Sequence, residues 1–147
     1  MHLILGAHGK LAQEVVHSAN MVFGHLDDLD VVTFLPGENA ETLKEKYQEI
    51  LGKCSEEEQI LFLVDLFGGS PYNAAFETVM GQDRMDVITG LSLPMLIDVA
   101  GIRMMNEEIR AAEVYGELGA DTYIRSCRKM LSDTKTKLMR RMMSYEN

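Results

Sequence analysis

Four short apolar runs alternate with amphipathic segments along this chain, and that alternation most constrains what it can fold into. Such runs are typical of strands buried on both faces; they are HLILGA at 2–7, DVVTFL at 30–35, QILFLVD at 59–65 and MDVITGL at 85–91. The segments between them repeat apolar residues every three or four positions, as helices do. The order predicts an α/β fold: a single three-layer α/β/α domain with a mainly parallel sheet and helices on both faces.

Capping residues mark where several helices begin. Asn39 is a typical N-cap, and Ser70 followed by Pro71 is typical of an N-cap and a first helical residue. The chain from Asp121 onward is open to two interpretations, an edge strand or a continued helix. Its basic, methionine-rich end is either an amphipathic helix that meets a partner or an acidic membrane surface, or a frayed terminal helix.

The charge of the chain is uneven. The net charge is −9, which argues against a general nucleic-acid binder. Residues 1–120 carry 7 Lys and Arg against 20 Asp and Glu, whereas residues 121–147 carry 7 against 3. An acidic body suits a basic protein partner, although acidity that only aids solubility explains it too.

Cysteine usage and the absence of targeting signals bear on the compartment. The chain has two cysteines, Cys54 and Cys127, without the paired spacing of a zinc site. The N-terminus lacks a basic leader, and no apolar run is long enough to span a bilayer. We therefore expect a cytoplasmic protein with no metal and no cofactor.

Chemistry-bearing residues follow two of the predicted strands. In an open parallel sheet, ligands bind beyond the carboxyl ends of the strands, where the strand order reverses. His8 ends the first strand just before a helix N-terminus, whose field favours a neutral ring that can attack phosphorus. Asp65 ends a second strand and could accept one ring N–H, which would leave the other nitrogen free to react.

Glycines and a hydroxyl surround these two residues in the sequence. Gly68, Gly69 and Ser70 open a helix and could cradle phosphoryl oxygens. Gly9 leaves the backbone beside His8 uncrowded, and we expect it to bind the phosphoryl group together with Gly68 and Gly69. Each residue also has a purely structural interpretation: a hydrogen-bonded histidine, a carboxylate that caps a loop, a helix cap, a turn. The other histidines, at 2, 17 and 25, lack a comparable carboxylate and glycine setting.

Four segments of this chain, taken together, resemble the IIA component of the mannose family of the bacterial phosphoenolpyruvate-dependent sugar phosphotransferase system (PTS). They are LGAHGKLA, LPGENAETLKEKY, LFLVDLFGGSPYNAA and ITGLSLPML, in the family's order and spacing. The resemblance implies that His8 carries a phosphoryl group, that Asp65 hydrogen-bonds this histidine, and that Ser70 helps to hold the phosphoryl group. It implies a IIA domain over 1–128, followed by a basic, methionine-rich tail over 129–147.

The resemblance also implies partners. Such IIA domains take a phosphoryl group from the carrier protein HPr and pass it to a IIB component, which acts with membrane-embedded IIC and IID. They are homodimers that exchange an antiparallel edge strand, and residues 122–128 of this chain match that strand. Where some relatives continue through a hinge into a IIB domain, this chain continues into its tail, which predicts a stand-alone IIA subunit.

Four other functions compete with this interpretation. A phosphotransferase subunit of a dihydroxyacetone kinase uses a similar histidine, and a phosphorylation-dependent regulatory protein could use the same site. A dinucleotide-binding module fits poorly, because the spacing at Gly6 and Gly9 is G-x-x-G and the second strand lacks a terminal acidic residue. A serine hydrolase fits poorly too, because Ser70 lacks the G-x-S-x-G elbow.

Overall fold

The computed structural model describes residues 1–145 and confirms the α/β architecture. Its four strands coincide with the four apolar runs to within two residues at each end; they are β1 (His2–His8), β2 (Leu29–Phe34), β3 (Ile60–Val64) and β4 (Met85–Thr89). The helices of the body are α1 (Leu11–Val22), α2 (Ala40–Leu51), α3 (Ser70–Val79), α4 (Leu93–Met105) and α5 (Ala111–Glu117). A 3₁₀ turn at Ala120–Thr122 leads to a last helix, α6 (Cys127–Tyr145).

The sheet has the order β2-β1-β3-β4, and all three strand pairs are parallel. The chain leaves β1 toward β2 on one side and later returns to place β3 on the other side. The strand order therefore reverses between β1 and β3, which is where open α/β sheets form their binding crevice. In this register Gly6 of β1 pairs with Val32 on one side and Val64 on the other.

Helices cover both faces of the sheet, which confirms the three-layer arrangement. Side chains alternate along each strand: Leu3 and Leu5 face a core that includes α1, α4 and α5, whereas Ile4 and Phe62 face α2 and α3. All four of these side chains are fully buried. This two-sided burial is why the strands are continuous apolar runs.

The segment at 122–128 forms no strand in the structure, so the expected edge strand is not found in the single chain. The residues form the end of a 3₁₀ turn, an irregular link and the start of α6. The physical reason is local: Ser126 caps α6 by accepting from the N–H of Lys129 at 3.2 Å. Asp98 fixes the preceding turn, because its carboxylate accepts from the N–H of Gly119 and from the hydroxyl of Tyr123.

The tail predicted over 129–147 is a helix as far as Tyr145, and residues 146–147 lie outside the described residues. Every residue of α6 is exposed. None of the helices within residues 1–145 combines the length and the apolar character that crossing a membrane would need.

Candidate functional site

The structure brings His8 and Asp65 together at the carboxyl edge of the sheet. His8 is the last residue of β1, and Asp65 directly follows the neighbouring strand β3. The ring nitrogen Nδ1 of His8 lies 2.8 Å from Oδ2 of Asp65, and the same oxygen accepts from the backbone N–H of His8 at 2.9 Å. Asp65 thus fixes both the backbone and the ring of His8.

The environment of Asp65 determines which ring nitrogen is free. Burial alone would raise the pKa of this carboxyl, but hydrogen bonds from the backbone and ring of His8 and from the N–H of Leu66 outweigh it and lower the pKa. An ionised carboxylate only accepts hydrogen bonds, so Nδ1 of His8 carries the hydrogen that it donates. In the neutral form of the ring Nε2 then keeps its lone pair, which makes it the nucleophilic atom.

The two side chains of the pair differ in exposure. The side chain of Asp65 is only 9% exposed, whereas that of His8 is 45% exposed. Apolar side chains also stand out into solvent close to the site in sequence, on three separate loops or helix starts: Leu11, Leu35, Leu66 and Phe67. A half-exposed ring and an apolar surface suit contact with another protein better than enclosure of a small molecule.

The glycine loop lies against the histidine ring. A Cβ built on Gly69 would approach Cε1 of His8 to 3.0 Å, so any larger residue there would press on the ring. Gly68 has a φ of +79°, which L-residues with side chains rarely adopt. Asn73 holds the loop from α3, since its side-chain amide donates to the Gly68 carbonyl at 3.1 Å.

Some backbone N–H groups of Gly9 and of the glycine loop donate hydrogen bonds within the chain, and others have no acceptor there. The N–H of Gly9 donates to Phe34 at 2.7 Å, and that of Gly69 donates to Leu66 at 3.2 Å. Within the part of the chain that the structure describes, the N–H groups of Gly68 and Ser70 have no acceptor. The N–H of Ser70 belongs to the first turn of α3 and so lies at the positive end of that helix, which favours an anion.

The prediction that Ser70 caps α3 is wrong by one residue. Gly69 is the N-cap, Ser70 and Pro71 are the first two helical residues, and no side chain caps this helix. The reason is that Gly69 adopts extended backbone while Ser70 has already turned into the helix. The hydroxyl of Ser70 is therefore not used as a cap.

Sequence analysis missed two residues that shape the site. The ring of Phe34 stands edge-on to His8, with 5.5 Å between ring centroids and 73° between planes. Tyr47 of α2 is fully buried and donates to the Pro71 carbonyl at 3.0 Å, which ties the start of α3 to the core. Gly6, a glycine within a buried apolar strand, was the sequence signal that a side chain approaches the strand closely. That side chain is Tyr47: a Cβ at Gly6 would lie 2.2 Å from its hydroxyl, so this position needs glycine.

The other three histidines lie apart from this site, each beside its own carboxylate. His2 contacts Asp30 at 2.7 Å, at the opposite end of β1 from His8. The remaining two are on the surface, where His17 lies near Glu14 and His25 near Asp27. Among the histidines, only His8 is surrounded by the glycine loop and a helix N-terminus.

Comparison with known proteins shows which family shares the sequence and the fold of this chain. Residues 2–114 match the family described as "EIIA-man: PTS system fructose IIA component". The PTS system fructose-specific EIIA component of Bacillus subtilis is 42% identical over 101 residues, which cover 69% of each chain. The PTS system mannose-specific EIIAB component of Escherichia coli is 42% identical over 96 residues, 65% of this chain but only 30% of that longer protein.

A solved structure agrees with this similarity. The mannose/sorbose-specific IIA subunit of the phosphotransferase system from Enterococcus faecalis superposes with a TM-score of 0.72. It is 29% identical and covers 85% of this chain and 93% of its own. The α/β fold with a histidine at the carboxyl edge of its sheet is therefore that of a PTS IIA component. The chain belongs to the mannose family of these IIA components, and with it to a sugar phosphotransferase system.

Proposed function

We propose that this chain is a phosphocarrier whose His8 accepts a phosphoryl group from HPr and passes it to a IIB component. In the first step the bond from phosphorus to the HPr histidine breaks while a bond from phosphorus to Nε2 of His8 forms. In the second step a residue of IIB displaces His8 from phosphorus. The single observation that carries this proposal is the 2.8 Å contact of Nδ1 with Asp65, which leaves Nε2 as the attacking atom.

Asp65 acts as the positioning residue of this transfer. Its carboxylate holds the hydrogen of His8 on Nδ1 and fixes the ring plane, since it also binds the His8 backbone. A phosphorylated ring that keeps its Nδ1 hydrogen gains positive charge, and the buried carboxylate stabilises that charge. Transfers of this kind depend mainly on positioning and electrostatics.

The loop before α3 holds the phosphoryl oxygens. Its donors are the available N–H groups of Gly68 and Ser70, together with the Ser70 hydroxyl. The N–H groups of Gly9 and Gly69, two of the expected phosphoryl-binding residues, are engaged within the chain, so these glycines contribute through their small size. They provide room: Gly9 keeps the backbone beside His8 uncrowded, and Gly69 lets the loop approach the ring.

The partners follow from the family and from the exposed surface. HPr and IIB approach His8 over the apolar surface formed by Leu11, Leu35, Leu66 and Phe67, and IIC and IID act through IIB in the membrane. The protein works at the cytoplasmic side as a homodimer. One outer edge of the sheet, on β4, has no paired strand among residues 1–145, which supports an exchanged strand from a second subunit.

A reconstituted phosphorylation assay tests this proposal. The protein is incubated with labelled phosphoenolpyruvate, enzyme I and HPr, and we expect one phosphoryl group that is stable to base and labile to acid. His8→Ala should abolish labelling, whereas His17→Ala, a surface histidine beside Glu14, should leave it unchanged. Label that survives in His8→Ala contradicts the site.

A second stage separates transport from regulation. After removal of phosphoenolpyruvate, the labelled protein is mixed with a IIB component, and we expect the label to move to IIB within the time of mixing. Label that stays on His8 would favour a phosphorylation-dependent regulatory protein instead. Label that moves to a dihydroxyacetone kinase subunit in preference to IIB would assign the chain to that system.

A further inference from the structure

Tyr47 is the one hydroxyl-bearing side chain among the fully buried residues in the described core between the sheet and helices α2 and α3. Its ring packs edge-on against Phe62, with 5.0 Å between the ring centroids. A phenylalanine would fill the same space without a polar atom, and burial of a polar group costs free energy unless the group finds a hydrogen-bond partner. Packing alone therefore does not explain why a tyrosine stands here.

The sheet leaves room for the Tyr47 hydroxyl at Gly6. Gly6 lies in the interior of β1, where glycine weakens a strand because it has no side chain to pack. A Cβ at Gly6 would overlap the hydroxyl and would lie only 3.1 Å from the ring carbon that carries it. Both Tyr47 and Gly6 therefore cost stability, and what they share is the placement of one buried hydroxyl.

The hydroxyl of Tyr47 anchors the start of α3 from outside that helix. It donates to the carbonyl of Pro71 at 3.0 Å, in the first turn of α3, where no side chain caps the helix. Burial raises the pKa of Tyr47 well above its usual range and the charge of Asp65 raises it further, so the hydroxyl keeps its hydrogen and remains a donor. In the part of the chain that the structure describes, this is the one side-chain hydrogen bond that reaches the start of α3 from another element.

The first turn of α3 carries groups on which the proposed transfer depends. The N–H of Ser70 directly precedes Pro71 in the chain, and Gly69 lies against Cε1 of His8. A hydrogen bond at the Pro71 carbonyl therefore fixes where the Ser70 N–H points. The same hydroxyl lies against β1 at Gly6, two residues before His8. It thus connects the strand that carries the histidine to the helix start that faces it.

We propose that Tyr47 is a positioning residue of the phosphoryl transfer, whose buried hydroxyl sets the distance between the first turn of α3 and His8. This inference rests on the proposed phosphocarrier function. Tyr47 donates to Pro71, so it acts through the first turn of α3 and takes no part in bond making or breaking. Donors that stabilise the charge on phosphoryl oxygens work only when they are already in place, and a small displacement of them slows the reaction.

Tyr47→Phe tests this role, because it removes the hydroxyl and keeps the ring in the core. We expect kcat for labelling of His8 by phosphorylated HPr to fall about three- to tenfold, the effect of one lost hydrogen bond. The KM for HPr should stay within about twofold, since removal of a buried hydroxyl leaves the exposed surface around His8 in place. Initial rates at several HPr concentrations, expressed per folded molecule, measure both quantities.

Thr78→Val is the matched control. The hydroxyl of Thr78 donates to the carbonyl of Ala74 at 2.9 Å, so this variant removes the same kind of hydrogen bond from the same helix, beyond its first turn. Both variants should lower the thermal unfolding temperature slightly, but only Tyr47→Phe should lower kcat. An equal fall of kcat in both variants would mean that general loosening of α3 is the cause, and would overturn the positioning role.

Nuclear magnetic resonance of the Ser70 amide gives a second readout that loss of stability alone would not change. In the wild type, phosphorylation of His8 should shift this resonance downfield, because the N–H then donates to a charged phosphoryl oxygen. In Tyr47→Phe the shift should be about half as large or less, since the donor is no longer held in place. Thr78→Val should show the full shift.

The wild type separates a failure of this inference from a failure of the phosphocarrier proposal. If the wild type is labelled on His8 but Tyr47→Phe keeps the wild-type kcat and the full Ser70 shift, the positioning role is wrong and the phosphocarrier proposal stands. A raised KM with unchanged kcat would likewise overturn it, because Tyr47 would then act on docking. A wild type that HPr does not label contradicts the phosphocarrier proposal, and with it the role of Tyr47.

Discussion

At the scale of single residues, the site rests on the pairing of one exposed ring with one buried carboxylate. His8 and Asp65 are 57 positions apart in sequence, but the parallel pairing of β1 with β3 makes their strand ends neighbours. Asp65 accepts three hydrogen bonds, two from His8 and one from the N–H of Leu66. The carboxylate therefore positions the ring and also stabilises the edge of the sheet.

Asp65→Asn should slow phosphoryl uptake by about 10–100-fold. The amide no longer carries the charge that holds the Nδ1 hydrogen, and a hydrogen bond to a charged group contributes about 1.5–3 kcal/mol. Initial rates of labelling from HPr measure this effect. Asp86→Asn is the matched control, a half-buried aspartate on β4 that bonds only its neighbouring N–H; an equal loss in both variants would contradict the role of Asp65.

The same pair predicts how stability depends on pH. The pKa of Asp65 is lower in the folded state than its ordinary value, so its ionised form stabilises the fold at pH values above about 3.9. This contribution is lost as the pH falls through the folded-state pKa. Urea unfolding of the wild type and Asp65→Asn should therefore show a difference in unfolding free energy that is constant near neutral pH and shrinks below about pH 4. A difference that does not change with pH would contradict this assignment.

The His8 and Asp65 pair could be predicted from sequence because it depends only on strand order. Phe34 and Tyr47 could not, because their roles depend on where rings from β2 and α2 pack. Tyr47 reaches Pro71 across 24 positions, and only the packed core shows that its hydroxyl ends beside Gly6. Sequence patterns identify groups at strand ends better than groups that act through the core.

At the scale of elements, the loop from β3 into α3 determines how closely the proposed phosphoryl-binding groups can approach His8. The loop turns at Gly68 and presents Gly69 to the imidazole ring. Strand positions were predictable because two-sided burial produces continuous apolar runs. The cap of α3 and the last element of the chain were not predictable in this way. Helix α3 begins one residue earlier than predicted, and residues 122–128 form part of a turn and of α6 instead of a strand.

Gly69→Ala should slow labelling of His8 by about tenfold and change stability little. The added Cβ would lie 3.0 Å from Cε1 of His8, so the ring must move away from the loop that we propose holds the phosphoryl oxygens. Labelling rates and thermal unfolding are measured together. Gly116→Ala in α5 is the control, because its Cβ meets nothing within 4 Å; unchanged labelling in Gly69→Ala would mean that the loop does not hold the phosphoryl group.

At the scale of the whole molecule, the candidate site and the stabilising contacts of Arg103 lie at opposite ends of the sheet. The carboxyl edge carries His8 and the glycine loop. The other end is closed by Arg103, whose half-buried guanidinium donates to the backbone carbonyls of Met1, Asp27 and Asp28. This contact joins the chain start to α4 and the turn before β2.

Arg103→Met should lower the free energy of unfolding by about 1–2 kcal/mol, because three backbone carbonyls, one half-buried and two exposed, lose a charged donor. Labelling of His8, expressed per folded molecule, should stay unchanged, since the site lies at the other end. Arg110→Met is the control, an exposed arginine whose side chain bonds only Glu113, and it should change stability by less than about 0.5 kcal/mol. Impaired labelling in folded Arg103→Met would show that the two ends are coupled.

The central claim is that Nε2 of His8 carries the phosphoryl group while Asp65 holds Nδ1. The most direct test is nuclear magnetic resonance of the protein with ¹⁵N-labelled histidine, phosphorylated by phosphoenolpyruvate, enzyme I and HPr. We predict a phosphorus coupling to Nε2 of His8 and to no other histidine nitrogen. A coupling to Nδ1 of His8, or to His2, His17 or His25, would contradict the account.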